Sequence, residues 1–135
     1  MLNKMSQQLN FLQSSLNLRA KRAEVIASNI ANADTPGYKA VDFDFGQTLK
    51  AQAAGQEGGL SLQRTNAAHL PAVASHAGGA QLQYRSAVQR SIDGNTVDMD
   101  IERSAFTDNA LKYQSTLTFL SRRISGLMDA IKGGQ

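Results

Sequence analysis

The segment that decides the fold is Ala27–Phe45, ASNIANADTPGYKAVDFDF. It opens inside a helical pattern, passes through Thr35-Pro36-Gly37-Tyr38, and leaves as Val41, Phe43 and Phe45 alternating with Asp42 and Asp44. Pro in the second place and Gly in the third of a four-residue unit is the signature of a type II turn. Pro36 also drives Thr35 out of helical space. Asn32 stands two positions past the last apolar helical residue, Ile30. Asn tolerates the left-handed conformation that ends many helices, and that conformation is expected here. The alternation after the turn predicts an extended strand with one apolar face. The segment therefore reads as a helix stop, a rigid turn and a redirected arm: a joint.

Upstream of the joint, Met5, Leu9, Leu12, Leu16, Ala20, Ala23, Ala27 and Ile30 recur at intervals of three and four. That spacing is one face of a helix. The intervening residues are mostly good helix formers, and neither Pro nor Gly occurs before Pro36. The spacing predicts a long helix from about Asn3 to Ile30.

At the other end, Phe106, Ala110, Tyr113, Leu117, Leu120, Ile124, Leu127 and Ile131 form a strict seven-residue repeat, which Met99 extends backwards. Such a repeat keeps one seam turned toward a partner helix. Asp98 is the expected cap, and Asp100 and Glu102 put negative charge in the first turns, where the helix dipole favours it. Gly133-Gly134 are the expected stop, and Gly126 costs about 1 kcal/mol relative to Ala.

Two terminal stripes are most simply satisfied by each other. Antiparallel pairing would bring Arg19, Lys21 and Arg22 toward Asp98, Asp100, Glu102 and Asp108 and so help select orientation. Leu18, Val25, Leu111 and Phe119 lie off both stripes and leave surplus apolar surface, to be covered either by the middle segment in a bundle or, as the favoured reading, by other chains. Between the stripes, seven of the eleven Gly fall in Gly46–Gly94, which argues against one large core spanning the chain. Short alternations at Leu60 and Leu62 and at Leu82 and Tyr84 suggest brief strands in an otherwise loosely ordered or small β-rich segment. The expected fold is mainly α: an antiparallel, coiled-coil-like terminal pair with that Gly-rich centre. The boundaries are 1–32 for the first helix, 33–96 for turn, arm and centre, and 97–135 for the heptad helix.

Composition closes several routes. Cys is absent, so there is neither a disulfide framework nor a thiolate metal site. His69 and His76, seven apart with no Cys, make a poor metal set. Asp93 and Asn95 match the first and third places of a calcium loop. Val97 then stands fifth, Asp98 replaces the required Gly, and Ser104 stands where Glu is needed, so that reading fails. No nucleophile elbow, phosphate-binding Gly loop or paired acid set with a base is present. No enzyme activity, cofactor, nucleic acid or small-molecule substrate is expected. The net charge of +3 sits entirely in residues 1–30, at Lys4, Arg19, Lys21 and Arg22 against Glu24, too little for nucleic acid. No secretory signal peptide and no run long enough to span a membrane is read in the chain.

The joint sequence ASNIANADTPGYKA is similar to the signature of the flagellar rod, hook and filament-axial proteins, through Ala31-Asn32, Thr35, Gly37 and Tyr38. The flanks, LRAKRAEVIASNIANADTPGYKAVDFDF and SIDGNTVDMDIERSAFTDNALKYQSTLTFLSRRISGL, resemble the basal-body rod proteins of that family over roughly residues 16–45 and 91–131. Val41 stands where a basic residue is usual.

The resemblance implies a structural subunit of the proximal rod, a tube that crosses the periplasm above the membrane ring and transmits torque. It implies self-association in a helical assembly, with other rod subunits and the membrane-ring/rod adaptor proteins as partners. It also implies export by the flagellar type III apparatus without a cleaved signal. On this reading Leu9, Leu12, Leu16 and Ile30 form the N-terminal assembly seam. Phe106, Tyr113, Leu117, Leu120, Ile124 and Leu127 form the C-terminal seam, and Asn32, Thr35, Pro36, Gly37 and Tyr38 form the turn motif. The rival readings are a soluble coiled-coil adaptor and a membrane-surface helix, the latter resting on the basic N-terminal segment.

Overall fold

The computed structural model describes residues 2–54, 80–87 and 91–133. The elements are α1 (Leu2–Ala31), β1 (Val41–Asp42), α2 (Phe45–Ala53), β2 (Gln83–Tyr84) and α3 (Met99–Ile131). The protein is mainly α, as its two stripes require. At 1.5 Å per residue, α1 and α3 are rods of about 45 and 50 Å. They run antiparallel along each other: Asn29 meets Glu102, Arg19 meets Asn109, and Gln8 meets Arg123.

Asp98 caps α3 as expected, accepting from the amides of Asp100 at 3.0 Å and Ile101 at 3.2 Å. Gly133, at φ +78°, takes the left-handed conformation just past its end.

The expected ion pairs between α1 and α3 do not form. Lys21 instead pairs with Glu24 on its own helix, Arg22 with Asp42, and Asp108 with Lys112. The hydrogen bond from Lys112 is what chiefly holds the Asp108 carboxyl below its usual range, and the charges of Lys112, Arg22 and Arg19 add to it. The hydrogen bonds that fix the register come largely from buried amides. Asn109 Nδ2 donates to the Arg19 carbonyl at 2.9 Å, and Asn29 Nδ2 donates to Glu102 Oε2 at 3.3 Å.

Leu18 and Val25, the surplus on α1, are core, covered by the middle of the chain and not left for other chains. They pack with Phe43 and Ala80, and Val41, Phe45 and Leu49 close over them. The reason is that α1 has two buried sides. One meets α3, and the other carries the arm and α2, so the apolar face is wider than a single seam. Leu111 and Phe119 do remain exposed, on α3.

The extended arm is shorter than its alternation implied. Only Val41–Asp42 pair as a strand, antiparallel to Gln83–Tyr84, with Val41 opposite Tyr84. The expected strand near Leu82 and Tyr84 is thus present, while Leu60 and Leu62 lie outside the described residues. Phe45 begins a helix instead of continuing the strand. Asp44 caps it, accepting from the Gln47 amide at 2.9 Å, and Phe45 and Leu49, one turn apart, lie on the core side. An Asp followed three residues later by Gln is a helix-start signal. The period-two alternation obscured it.

Candidate functional site

The joint is built where the end of α1, the turn and residues 91–96 meet. The turn is as expected: the Tyr38 amide donates to the Thr35 carbonyl at 3.2 Å and Gly37 has φ +71°. Gly37 lies against Gly94, itself at φ +78°; a Cβ on Gly94 would stand 3.8 Å from the Gly37 Cα. The way α1 stops is different from the expectation. Asn32 is not left-handed, since no non-Gly residue among those described has positive φ. Its side-chain Nδ2 instead donates back to the Ser28 carbonyl at 2.8 Å, and its amide to Ser28 and Asn29. A side-chain amide that can satisfy a last-turn carbonyl removes the need for a strained backbone.

Two buried asparagines do most of the fastening. Asn29 Nδ2 donates to the Val41 carbonyl at 2.7 Å, while its Oδ1 accepts from the Val41 amide at 3.1 Å and from the Tyr38 hydroxyl at 3.3 Å. Its amide thus acts as a strand neighbour for the side of β1 that β2 does not occupy. Asn95, 4% exposed, sends Nδ2 to the carbonyls of Asn32 at 3.0 Å, Ala33 at 2.8 Å and Thr35 at 2.9 Å, and its Oδ1 accepts from the Val97 amide at 2.8 Å. Around these, the Gly37 amide donates to the Asp93 carbonyl, Thr96 to Tyr38, the Ala40 amide to Thr96 Oγ1, and Lys39 Nζ to the Gly94 carbonyl. Residues 91–96 are therefore laced to 37–40 throughout.

A chain of charges runs beneath the joint. Arg22 reaches Asp42 with two nitrogens, at 3.0 and 3.3 Å. Arg85 bridges Asp42 at 2.8 Å and Glu102 at 2.6 Å, and Glu102, fully buried, also accepts from Asn29. Two cations and two carboxylates make the chain neutral, which is what permits its burial. Burial alone would raise the Asp42 carboxyl. Hydrogen bonds from Arg22, the Phe43 amide and Arg85, with the charge of Arg22, outweigh that and hold it below the usual carboxylate range. Arg19 stacks over the Phe45 ring at 4.2 Å, and burial, with the neighbouring charge of Arg22, lowers its pKa.

Of the residues singled out from the sequence, Asn32 and Tyr38 are half-buried in the joint, while Thr35, Pro36 and Gly37 form its exposed crest. Leu16 is buried, and Leu9, Leu12 and Ile30 are half-buried on α1. On α3 the heptad residues Phe106, Tyr113, Leu117 and Ile124 are 37–44% exposed, with Leu120 and Leu127 half-buried. Glu102 and Asn109, not the heptad seam, are the buried residues of α3. Sequence reasoning missed Asn29, Arg85, Asn95 and Glu102 as fasteners. Asn29 carried a faint signal, an amide one residue before the end of an apolar stripe. His69 and His76 lie outside the described residues. Among the described residues, no cluster of three or more His, Asp or Glu could hold a metal, and no helix is long and apolar enough to cross a membrane.

Comparison with known proteins falls on the same elements. A family model described as "Flagella basal body rod protein" matches residues 9–39, which is most of α1 and the turn. The flagellar basal body rod proteins FlgB of Salmonella typhimurium and Escherichia coli K12 are each 50% identical over 137 residues, covering 99% of this chain and of the relative. That of Yersinia enterocolitica is 48% identical, covering 99% of this chain and 100% of its own. With half its residues identical across nearly the full length of these relatives, the chain belongs to the FlgB family of flagellar basal body rod proteins.

Proposed function

We propose that this chain is a structural subunit of the flagellar proximal rod, working mechanically and not as a catalyst. The observation that carries the reading is the heptad face of α3. Phe106, Tyr113, Leu117 and Ile124 remain more than a third exposed after α1 has docked, in a chain alike end to end with FlgB. Apolar residues at coiled-coil spacing that the chain itself leaves open are suited to a neighbouring subunit. A tube grows through heterologous contacts, in which one face of a subunit meets a different face of the next.

In this reading residues 1–32 and 97–135 form the helical layer, and 33–96 form the joint and the outward arm. Leu9, Leu12, Leu16 and Ile30 on α1, with Phe106, Tyr113, Leu117, Leu120, Ile124 and Leu127 on α3, hold the subunit to its neighbours. Other rod subunits and the membrane-ring adaptors are the partners, and the subunit reaches the periplasmic rod through the type III export apparatus without a cleaved signal. The membrane-surface reading draws no support from the charges it would need. Arg22 is committed to Asp42, and Lys21 lies 2.5 Å from Glu24.

The test is deletion of the gene in the source bacterium, with swimming assays and electron microscopy of envelope preparations. The expected result is membrane rings without rods, and cells that swim again when the intact gene is returned. Normal rods and swimming in the deletion strain would overturn the reading.

A further inference from the structure

We propose that Asn95 is a positioning residue of the joint, one that ties the turn following α1 to the loop preceding α3. The turn motif is local in sequence, but its fastening is not. The three carbonyls that Asn95 reaches, those of Asn32, Ala33 and Thr35, lie just past the end of α1 and 60 to 63 residues away. The Asn32 and Thr35 carbonyls each also accept one backbone amide, so Asn95 takes up remaining acceptor capacity, close to the negative end of the helix dipole. A neutral amide donor is the group that suits both conditions. Its orientation is fixed: Oδ1 is held by the Val97 amide, and the reverse placement would set oxygen against three oxygens.

The Asn95 backbone is held as well, its amide donating to Asp93 Oδ1 at 3.1 Å. From that anchored loop, Asp93 accepts the Gly37 amide and Thr96 donates to Tyr38, which fixes the exit of the turn on both sides. The entry to the turn is thus held by a side chain, and its exit by the backbone of the same six-residue loop. The 9–39 segment carries the turn residues and Asn29, which holds Tyr38, but not the loop 91–96 that fastens the turn from the other side. The joint is therefore a two-part lock: Asn29 and Arg22 hold the arm to α1, and residues 91–96 hold the turn between them. The consequence for swimming rests on the rod reading above; the consequence for the joint itself does not.

The test compares Asn95→Asp and Asn95→Ala in the full-length chain by amide hydrogen exchange. Asp has the shape of Asn but turns an acceptor toward the three carbonyls, whereas Ala merely vacates the site. A residue that only filled space would tolerate Asp better than Ala. A donor to these carbonyls will tolerate it worse. The expected result is at least tenfold faster exchange at Gly37 and Thr96 in Asn95→Asp, a smaller rise in Asn95→Ala, and unchanged protection at the α3 amides of residues 111–120. Wild-type exchange at Gly37 and Thr96, or Asn95→Ala faring worse than Asn95→Asp, would overturn the assignment. Loss of α3 protection along with the joint would also overturn it, by making Asn95 a general stabiliser. In cells, the intact gene restores swimming to the deletion strain and Asn95→Asp does not. Failure of the intact gene to do so would count against the rod reading, while full swimming by Asn95→Asp would count against the lock.

Discussion

Replacing Glu102 with Ala removes the terminal acceptor of the charge chain. Glu102 is fully buried and takes one hydrogen bond from Arg85 at 2.6 Å and one from Asn29 at 3.3 Å. Breaking a buried pair by deleting one partner costs about 3–5 kcal/mol, because the other charge stays behind uncompensated. Arg85 is about a quarter exposed and keeps Asp42, which places the loss at the lower end, about 3 kcal/mol. For a domain of this size that corresponds to a fall of about 10 °C in melting temperature.

The assay is urea unfolding of the full-length chain followed by circular dichroism, with trimethylamine N-oxide added where needed to bring a weakened variant onto a measurable transition. Combination with Arg85→Leu should give a coupling energy of at least 1 kcal/mol, since the two residues touch. A loss below about 1 kcal/mol, or strictly additive effects, would refute the view that this chain fastens α3 to the arm.

Three further outcomes follow from the same geometry. Because the folded Asp42 carboxyl titrates below its ordinary value of about 3.9, its contribution is complete above that pH and is lost as pH falls through the lowered folded value. Stability should therefore drop below about pH 4, and Asp42→Asn should flatten that acid limb; a limb of equal steepness in the variant would contradict the pairing. Gly37→Ala should cost about 1–2 kcal/mol from its left-handed backbone alone, since nothing lies within 4 Å of the added Cβ; an unchanged melting temperature would show the turn can relax. Leu120→Asp should abolish incorporation into basal bodies while secretion of the subunit continues, because an unpaired carboxylate in an apolar seam costs several kcal/mol. Wild-type incorporation would show that this part of α3 is not an interface.

Much of this fold is written in local patterns. The two long helices follow from intervals of three and four, and the start of α3 from Asp98. The turn follows from Pro36 and Gly37, and the two short extended segments from the alternations at Val41 and at Leu82 and Tyr84. Each of these features is decided by residues within a turn or two of one another, through rotamers, capping and allowed backbone angles. The antiparallel pairing of the ends was also legible, because two apolar stripes in one chain have each other as the nearest partner.

What the linear order could not supply was partner choice among polar groups. Arg22 had several acids available and takes Asp42, which the turn brings to it. Glu102 goes to Arg85 and not to the basic run on α1, because β2 delivers that guanidinium to the helix crossing. Asn29 and Asn95 are ordinary residues in sequence. They become fasteners because folding sets one against Val41 and the other, some 60 residues downstream, against the turn that follows α1. At Val41, Phe43 and Phe45 two local patterns compete, a period-two alternation and the Asp44–Gln47 helix start. The apolar residues do face one core, but Asp44 and Leu49 make a helix the better way to bury Phe45 beside Leu18 and Val25. Helix, turn and stripe were determined by the sequence itself. The pairing of buried charges and amides, which depends on distances between remote segments in a medium where an unpaired polar group is costly, was decided only by the tertiary structure.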